Sequence, residues 1–176
     1  MPCFKSVRRM IVPCMIILTC LPFVSAQEDD GPPAVYPVAI LPFQERGRDA
    51  AELGQQVTDL LFAQLVVNPD LYLVEREDIS KLFEEKELNL SGLVNPAEAI
   101  QVGYLTGAKI IVTGSVVVAG DAQYLVAKVI GTETSRVLGA SAKGRVGDEL
   151  DQMVEKLAEN VAKTITEREG DLVAKP

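Results

Sequence analysis

The chain contains no histidine and no tryptophan, and its three cysteines, Cys3, Cys14 and Cys20, all lie close to the N-terminus. Histidine is the commonest general base near neutral pH and the commonest zinc ligand. Because the remainder also lacks thiols, cysteine catalysis and thiolate metal sites are excluded there. No serine stands in a nucleophile-elbow pattern, and no spaced set of oxygen ligands suggests calcium. The sequence therefore predicts no enzyme activity, no metal and no cofactor.

The first 26 residues have the order of a cleavable secretory signal. Basic residues precede a nearly continuous apolar run over residues 11–23, and Val24-Ser25-Ala26 supplies the small residues of a cleavage site. The run is shorter than the ~20 residues that a bilayer crossing needs. Cys20 raises the alternative of an outer-membrane lipoprotein, but Thr19 stands where a smaller residue is favoured. We predict a periplasmic protein, with lipidation of Cys20 as the weaker alternative.

Acidic residues outnumber basic residues, and the imbalance grows when the predicted signal is removed. The full chain has a net charge of −8. Without residues 1–26 it keeps 14 basic and 25 acidic residues, a net charge of −11. Such a protein is repelled by phosphate backbones and anionic lipid headgroups unless one face is locally basic. The sequence has no cluster of lysine and arginine, so we expect no nucleic-acid partner and no membrane spanning after cleavage.

Residues 27–37 are acidic and rich in proline and glycine, which is typical of a flexible tether. Residues 38–168 predict one domain in the order β-α-β-α-α-β-β-β-α, and residues 169–176 are expected to form a disordered tail. This order favours a single-domain α/β fold, a layered sandwich with helices flanking a mixed β-sheet. Strands are predicted at Val38–Leu41, Leu71–Val74, Lys109–Val118, Gln123–Ile130 and Arg136–Arg145.

Several polar residues precede helical patterns and are predicted to start the helices. Asp49-Ala50-Ala51-Glu52 has the form of a capping box, and Asp78 and Asp148 are each predicted as N-caps. Asn95-Pro96 joins a cap to a proline at the first helical position. Gly120-Asp121 predicts a tight hairpin turn whose first residue needs positive φ.

Two small charged groups could bind a ligand, although each has a simpler structural interpretation. Glu75, Arg76 and Asp78 follow a predicted strand, where α/β sheets often bind ligands. The simpler interpretation is a helix cap beside a local ion pair. Arg46 and Arg48 lie in a predicted loop, residues 44–48, and could hold an anion together with free helix N–H groups. The alternative for that loop is a solvated connection.

An apolar segment over residues 88–94 has no helical periodicity. Either this loop folds back over a helix, or it presents an apolar surface to a partner protein. The candidate partner-binding residues are Leu88, Leu90, Ser91, Gly92, Leu93 and Val94.

Four segments, taken in order, give the chain a resemblance to a known family. They are Val38-Ala39-Ile40-Leu41-Pro42-Phe43, Leu73-Val74-Glu75-Arg76, Leu90-Ser91-Gly92-Leu93-Val94, and Gly107-Ala108-Lys109-Ile110-Ile111-Val112-Thr113-Gly114-Ser115-Val116. The sequence resembles the CsgG-like family of the curli secretion channel, whose superfamily includes LpoB, a periplasmic lipoprotein activator of a penicillin-binding protein. The resemblance implies an α/β sandwich without known catalysis that assembles with other proteins of the bacterial envelope.

The resemblance does not extend to every feature of the channel-forming members. Those members are lipidated and extend sheet hairpins into membrane-crossing strands, which need ~9–11 residues each. In this sequence the residues before Cys20 match the lipoprotein-processing motif poorly. The first hairpin turns at Gly120-Asp121, and residues 130–136 form an equally short connection. We therefore expect a non-enzymatic periplasmic accessory protein that binds an envelope protein of unknown identity, with self-association left open. The alternatives are a small-ligand or nucleotide-binding sensor, and a ring-forming subunit of an outer-membrane secretion complex.

Overall fold

Within the residues that the computed structural model describes, 35–47, 52–75, 77–81 and 96–174, helices cover both faces of a six-stranded sheet. The strands are β1 (Pro37–Ile40), β2 (Gln44–Arg46), β3 (Tyr72–Leu73), β4 (Ile110–Ala119), β5 (Ala122–Gly131) and β6 (Val137–Arg145). The helices are α1 (Leu53–Val66), α2 (Pro96–Thr106), α3 (Leu150–Glu167) and α4 (Glu169–Leu172), and residues 77–81 are also helical. The predicted fold class, a layered α/β sandwich with a mixed sheet, is confirmed.

The strands follow the order β3-β1-β4-β5-β6, and β2 pairs with β4 beyond the end of β1. β1 and β2 lie parallel to β4, and β3 lies parallel to β1. β4, β5 and β6 form an antiparallel meander. Its first turn is the predicted Gly120-Asp121, in which only Gly120 has positive φ, at 60°, as in a type II′ turn. We call this end of the sheet the hairpin end.

The short strand β2 occupies part of the loop predicted over residues 44–48, so that prediction is wrong for Gln44–Arg46. Pro42 has no N–H to donate, and it interrupts the pairing along β4 between β1 and β2. The pairing resumes with Gln44 opposite Ser115. β2 therefore continues the line of β1 toward the hairpin end.

The ring of Phe43 packs directly against the backbone of β4 at Gly114. A Cβ atom at Gly114 would lie 2.2 Å from the carbonyl oxygen of Val126 and 2.5 Å from the Phe43 ring, so the site accepts only glycine without a shift. Thr58 of α1 secures the same corner. Its Oγ1 accepts a hydrogen bond from the Phe43 N–H at 2.9 Å and donates one to the Gly54 carbonyl at 2.7 Å. These contacts tie the start of β2 to α1.

Two apolar clusters lie on opposite faces of the sheet. The larger cluster joins β4, through Ile110 and Val112, to α1 and α3. The smaller cluster joins β4, through Ile111, to Val102 of α2. The predicted central strand, covered on both faces, is thus confirmed. The predicted apolar stripe of α3 is also buried, and its core members are Met153, Val154, Leu157, Val161 and Ile165.

The start of α1 is held by Glu45, not by the predicted capping box. The helix begins at Leu53, and Glu52 before it has φ 67°, so Glu52 cannot act as the third helical residue of such a box. The Glu45 carboxylate on β2 accepts a hydrogen bond from the Gly54 N–H at 3.1 Å. The remaining box residues, 49–51, lie outside the described residues.

Two other predicted caps are wrong, and one helix start is confirmed. Asp148 does not cap α3, because its Oδ2 accepts a hydrogen bond from the Arg145 N–H at 2.6 Å and Glu149 precedes the helix. Asp78 lies within the helical residues 77–81 instead of before them. Pro96 is the first residue of α2, as the sequence predicts.

The C-terminal residues pack on the sheet, so the predicted disordered tail is wrong for Glu169–Leu172. Leu172 and Val173 are buried. The Leu172 carbonyl accepts a hydrogen bond from Thr134 Oγ1 at 3.0 Å, and its oxygen lies 2.0 Å from where a Cβ on Gly131 would stand. A close approach of two backbone segments thus fixes the turn between β5 and β6.

Charged side chains near this turn have shifted pKa values. A hydrogen bond from Arg168, 2.6 Å from Asp171, holds the pKa of Asp171 below its usual range. A hydrogen bond from Lys109 lowers the pKa of Glu133 in the same way. Burial is the main cause that raises the pKa of the Tyr36 phenol. Both carboxylates are therefore stabilised as anions in the folded protein.

The predicted signal, residues 1–26, and most of the predicted tether lie outside the described residues. In the part of the chain that is described, no helix combines the length and the apolar character needed to cross a bilayer.

Candidate partner-binding surface

Several residues that the sequence predicts to bind a ligand or a partner lie outside the described residues. These are Arg48, Arg76 and the whole apolar loop at Leu88, Leu90, Ser91, Gly92, Leu93 and Val94. A role of this loop in binding therefore stays a prediction.

Glu75 and Asp78 are exposed beyond the end of β3, which is an edge strand of the sheet. Asp78 lies 3.9 Å from the ammonium of Lys81, an exposed pair of the kind that contributes little stability. Across the described ranges, no group of three acidic side chains converges as metal ligands would. The ligand site suggested at this strand end stays a prediction.

Arg46 and Glu45 lie on opposite faces of β2, because successive side chains of a strand alternate. The Glu45 carboxylate reaches the N-terminus of α1, where it accepts the Gly54 N–H. A protein carboxylate thus already interacts with the helix end at which the sequence suggested a bound anion. Arg46 is exposed on the other face of the sheet.

On that face, Arg46 belongs to a row of side chains that crosses four strands. The registers align Arg46 with Val117, Val117 with Tyr124, and Tyr124 with Lys143. Residues directly opposite one another in neighbouring strands share a face of the sheet. The four side chains therefore line up near the hairpin end, and we call them the cationic row.

The cationic row is a shallow strip with a cation at each end and an aromatic ring between them. Arg46 and Lys143 are exposed, whereas Val117 and Tyr124 are half-buried. The ammonium of Lys143 lies 5.2 Å from the centroid of the Tyr124 ring, which is a cation–π contact. Neighbouring strands lie ~4.8 Å apart, so three strand steps separate the Arg46 and Lys143 backbones by roughly 14 Å.

Arg145 adds a third cation on the same face, two residues beyond Lys143 and opposite Ala122. Among the described residues, no carboxylate side chain forms an ion pair with Arg46, Lys143 or Arg145. The sequence has no cluster of lysine and arginine, but the strand registers place these three cations on one face of the sheet. Lys143 and Arg145 are close in sequence, whereas Arg46 comes from a distant part of the chain and joins them only through the sheet.

We call the side of the domain formed by α1 and α3, across the sheet from the cationic row, the helical side, and its exposed acids outnumber its exposed bases. Asp151, Glu155 and Glu159 recur every fourth residue along α3 and are exposed, and so is Asp59 of α1. Residues four apart on a helix lie on one side of it, so the acids form a stripe. The cationic row thus stands out on a chain whose net charge is −8.

Several solved structures share the fold at low sequence identity. The C-terminal domain of LpoB from Salmonella enterica is 20% identical, with a TM-score of 0.54, and the match covers 66% of this chain and 85% of that one. Lipoprotein GNA1162 from Neisseria meningitidis is 14% identical, with a TM-score of 0.56 and coverage of 74% and 99%. LpoB from Escherichia coli is 15% identical, with a TM-score of 0.52 and coverage of 82% of each chain.

No curated protein shows significant sequence similarity to the chain. The sequence model of one family, described as curli production assembly/transport component CsgG, matches residues 41–145. This match includes β2, β4, β5 and β6, which carry the cationic row. Since it covers more than half of the sequence, the chain belongs to the CsgG family.

Proposed function

We propose that this chain is a non-enzymatic accessory protein of the bacterial cell envelope that acts by binding another envelope protein. The observation that carries the proposal is the cationic row, with its exposed cations, on a chain whose net charge is −8. Membership of the CsgG family and the fold shared with LpoB support a role in the envelope. A chain without histidine, and without cysteine after Cys20, has few means of catalysis and acts through its surface.

The secretory pattern of residues 1–26 supports export to the periplasm. An exported domain without cysteine depends on its core for stability, and the two apolar clusters supply that core. In this proposal the mature protein is a rigid sheet that presents one cationic face to its partner.

Site-specific photo-crosslinking in intact cells tests the proposal. A photoreactive residue replaces Val126, which is half-buried on the face of the cationic row, without removing any cation. The matched control replaces Glu155 on the exposed side of α3. We expect position 126 to crosslink to a distinct envelope protein and position 155 to give no such product. Failure of every surface position to crosslink to an envelope protein, in cells that export the chain, would refute the proposal.

A further inference from the structure

We propose that the cationic row binds an acidic, extended segment of the partner protein. This inference rests on the proposed function and names the surface and the chemistry that the partner must match. Two exposed cations flank an aromatic ring on one strip of the sheet, and a third cation, Arg145, lies beside them. Carboxylates are the side chains that both a guanidinium and an ammonium bind most strongly.

The net charge of the whole chain limits which class of anionic partner can bind the cationic row. A long anionic polymer or a membrane surface extends well beyond the row and is repelled by a chain whose net charge is −8. A short peptide segment can contact the row alone. Charge complementarity therefore favours a peptide over nucleic acid or anionic lipid.

The spacing of the row also predicts the spacing of the acids. The backbones of Arg46 and Lys143 are roughly 14 Å apart, and an extended peptide rises ~3.3 Å per residue. Acidic residues four positions apart in an extended segment therefore match the backbone spacing of the two cations, whose long side chains can adjust to reach them. Between them, the half-buried Val117 and Tyr124 offer an apolar contact for an intervening side chain.

The acidic residues 28–30 of the same chain are a poor match for the row. Residues 28, 29 and 30 precede Val35 by seven, six and five residues, so even a fully extended chain carries them at most ~25, ~22 and ~18 Å from there. β1 begins beside the start of β4, and Val117 lies seven residues beyond Ile110, which is ~23 Å further along the sheet. A segment of another protein has no such limit.

Titration of the exported, ¹⁵N-labelled protein with synthetic peptides tests this inference. The probe is a Gly/Ser peptide that carries two glutamates four positions apart, and the comparison peptide carries two lysines instead. We expect only the acidic peptide to shift the amide signals of Arg46, Tyr124 and Lys143. Arg46→Glu combined with Lys143→Glu should weaken binding by at least about tenfold, which corresponds to the loss of two exposed charge pairs. Lys163→Glu on α3 is the matched control for Arg46→Glu alone, because each is a single charge reversal, and it should alter the affinity less than about twofold.

Several outcomes would overturn the inference. They are the absence of shifts at millimolar peptide, shifts confined to other residues, and unchanged affinity after the double charge reversal. Tighter binding of single-stranded DNA or of anionic phospholipid vesicles to the same residues would assign the row to another class of partner. A protein lacking residues 27–34 that binds the probe much more tightly would assign the row to this chain's own acidic run.

The peptide titration and the crosslinking experiment can fail separately. If position 126 crosslinks to an envelope protein equally well after the double charge reversal, the row is not the binding surface and the proposed function stands. If the peptide binds the row but no surface position crosslinks to an envelope protein, the chemistry of the row stands and the proposed function fails.

Discussion

Replacement of Thr58 by valine tests the corner that positions β2 and thereby Arg46. The Thr58 side chain is fully buried, and its Oγ1 accepts the Phe43 N–H at 2.9 Å. Valine has nearly the same shape but no hydroxyl. The substitution therefore leaves the buried Phe43 N–H without a partner while it hardly changes the packing.

A buried donor left without a hydrogen bond costs about 1–3 kcal/mol. For a domain of this size, each kcal/mol lowers the midpoint of thermal unfolding by about 2–4 °C. We therefore expect Thr58→Val to lower the free energy of unfolding by about 2 kcal/mol. Urea unfolding followed by circular dichroism measures this change, and an unaltered m-value would confirm that the denatured state is unaffected.

Thr113→Val is the matched control for the same chemical change. Thr113 is also buried, but its Oγ1 has no hydrogen-bond partner among the described residues. Removal of an unsatisfied buried hydroxyl should leave stability unchanged or raise it by up to about 1 kcal/mol. Equal destabilisation by the two substitutions would show that packing, not the hydrogen bond to Phe43, determines the effect of Thr58.

Three further predictions concern the packing, the pH dependence and the apolar loop. Gly114→Ala should destabilise the protein by about 1–3 kcal/mol, because the new Cβ would lie too close to Val126 and Phe43. Gly139→Ala has open space around it and should be neutral or slightly stabilising. Urea unfolding of the two variants measures the difference. Glu133 and Asp171 have lowered pKa values in the folded protein. Their contribution to folding stability is therefore present above the usual carboxylate pKa and is lost as the pH falls through the folded pKa values. The midpoint temperature of thermal unfolding should therefore decrease as the pH is lowered below about 5. The variant with Glu133→Gln and Asp171→Asn should show a smaller decrease over the same pH range. Replacement of Leu90 and Leu93 by serine should weaken capture of the partner without unfolding the domain, and an unfolded double variant would identify the loop as core.

The sequence predicts the elements whose signals are local. The β-branched run of β4 and the apolar stripe of α3 each contain enough periodic residues to identify a buried strand and an amphipathic helix. Pro96 also marks its helix start correctly, because its fixed φ suits the first helical position.

The elements that the sequence does not predict depend on contacts that local sequence patterns do not encode. β2 has only three residues and forms because it meets Ser115–Val117 of β4. The cap of α1 comes from Glu45, nine residues before Gly54, and Asp148 accepts a hydrogen bond from Arg145 behind it instead of from a residue of α3. The alternation of Lys143 and Arg145 in a predicted strand indicates a face with two cations. Only the register shows that Arg46 and Tyr124 belong to that face.

An acidic chain can bind an acidic segment because charges act over a limited distance in salt. At physiological ionic strength the screening length is about 8 Å, which is shorter than the roughly 14 Å span of the cationic row. A carboxylate in contact with Arg46 or Lys143 therefore interacts mainly with the cation next to it, and more weakly with charges further away. The acids on α3 still oppose an anionic segment that approaches from the helical side. The opposite charges of the two faces thus select the orientation in which a partner docks, and electrostatic complementarity of this kind contributes more to specificity and association rate than to raw affinity.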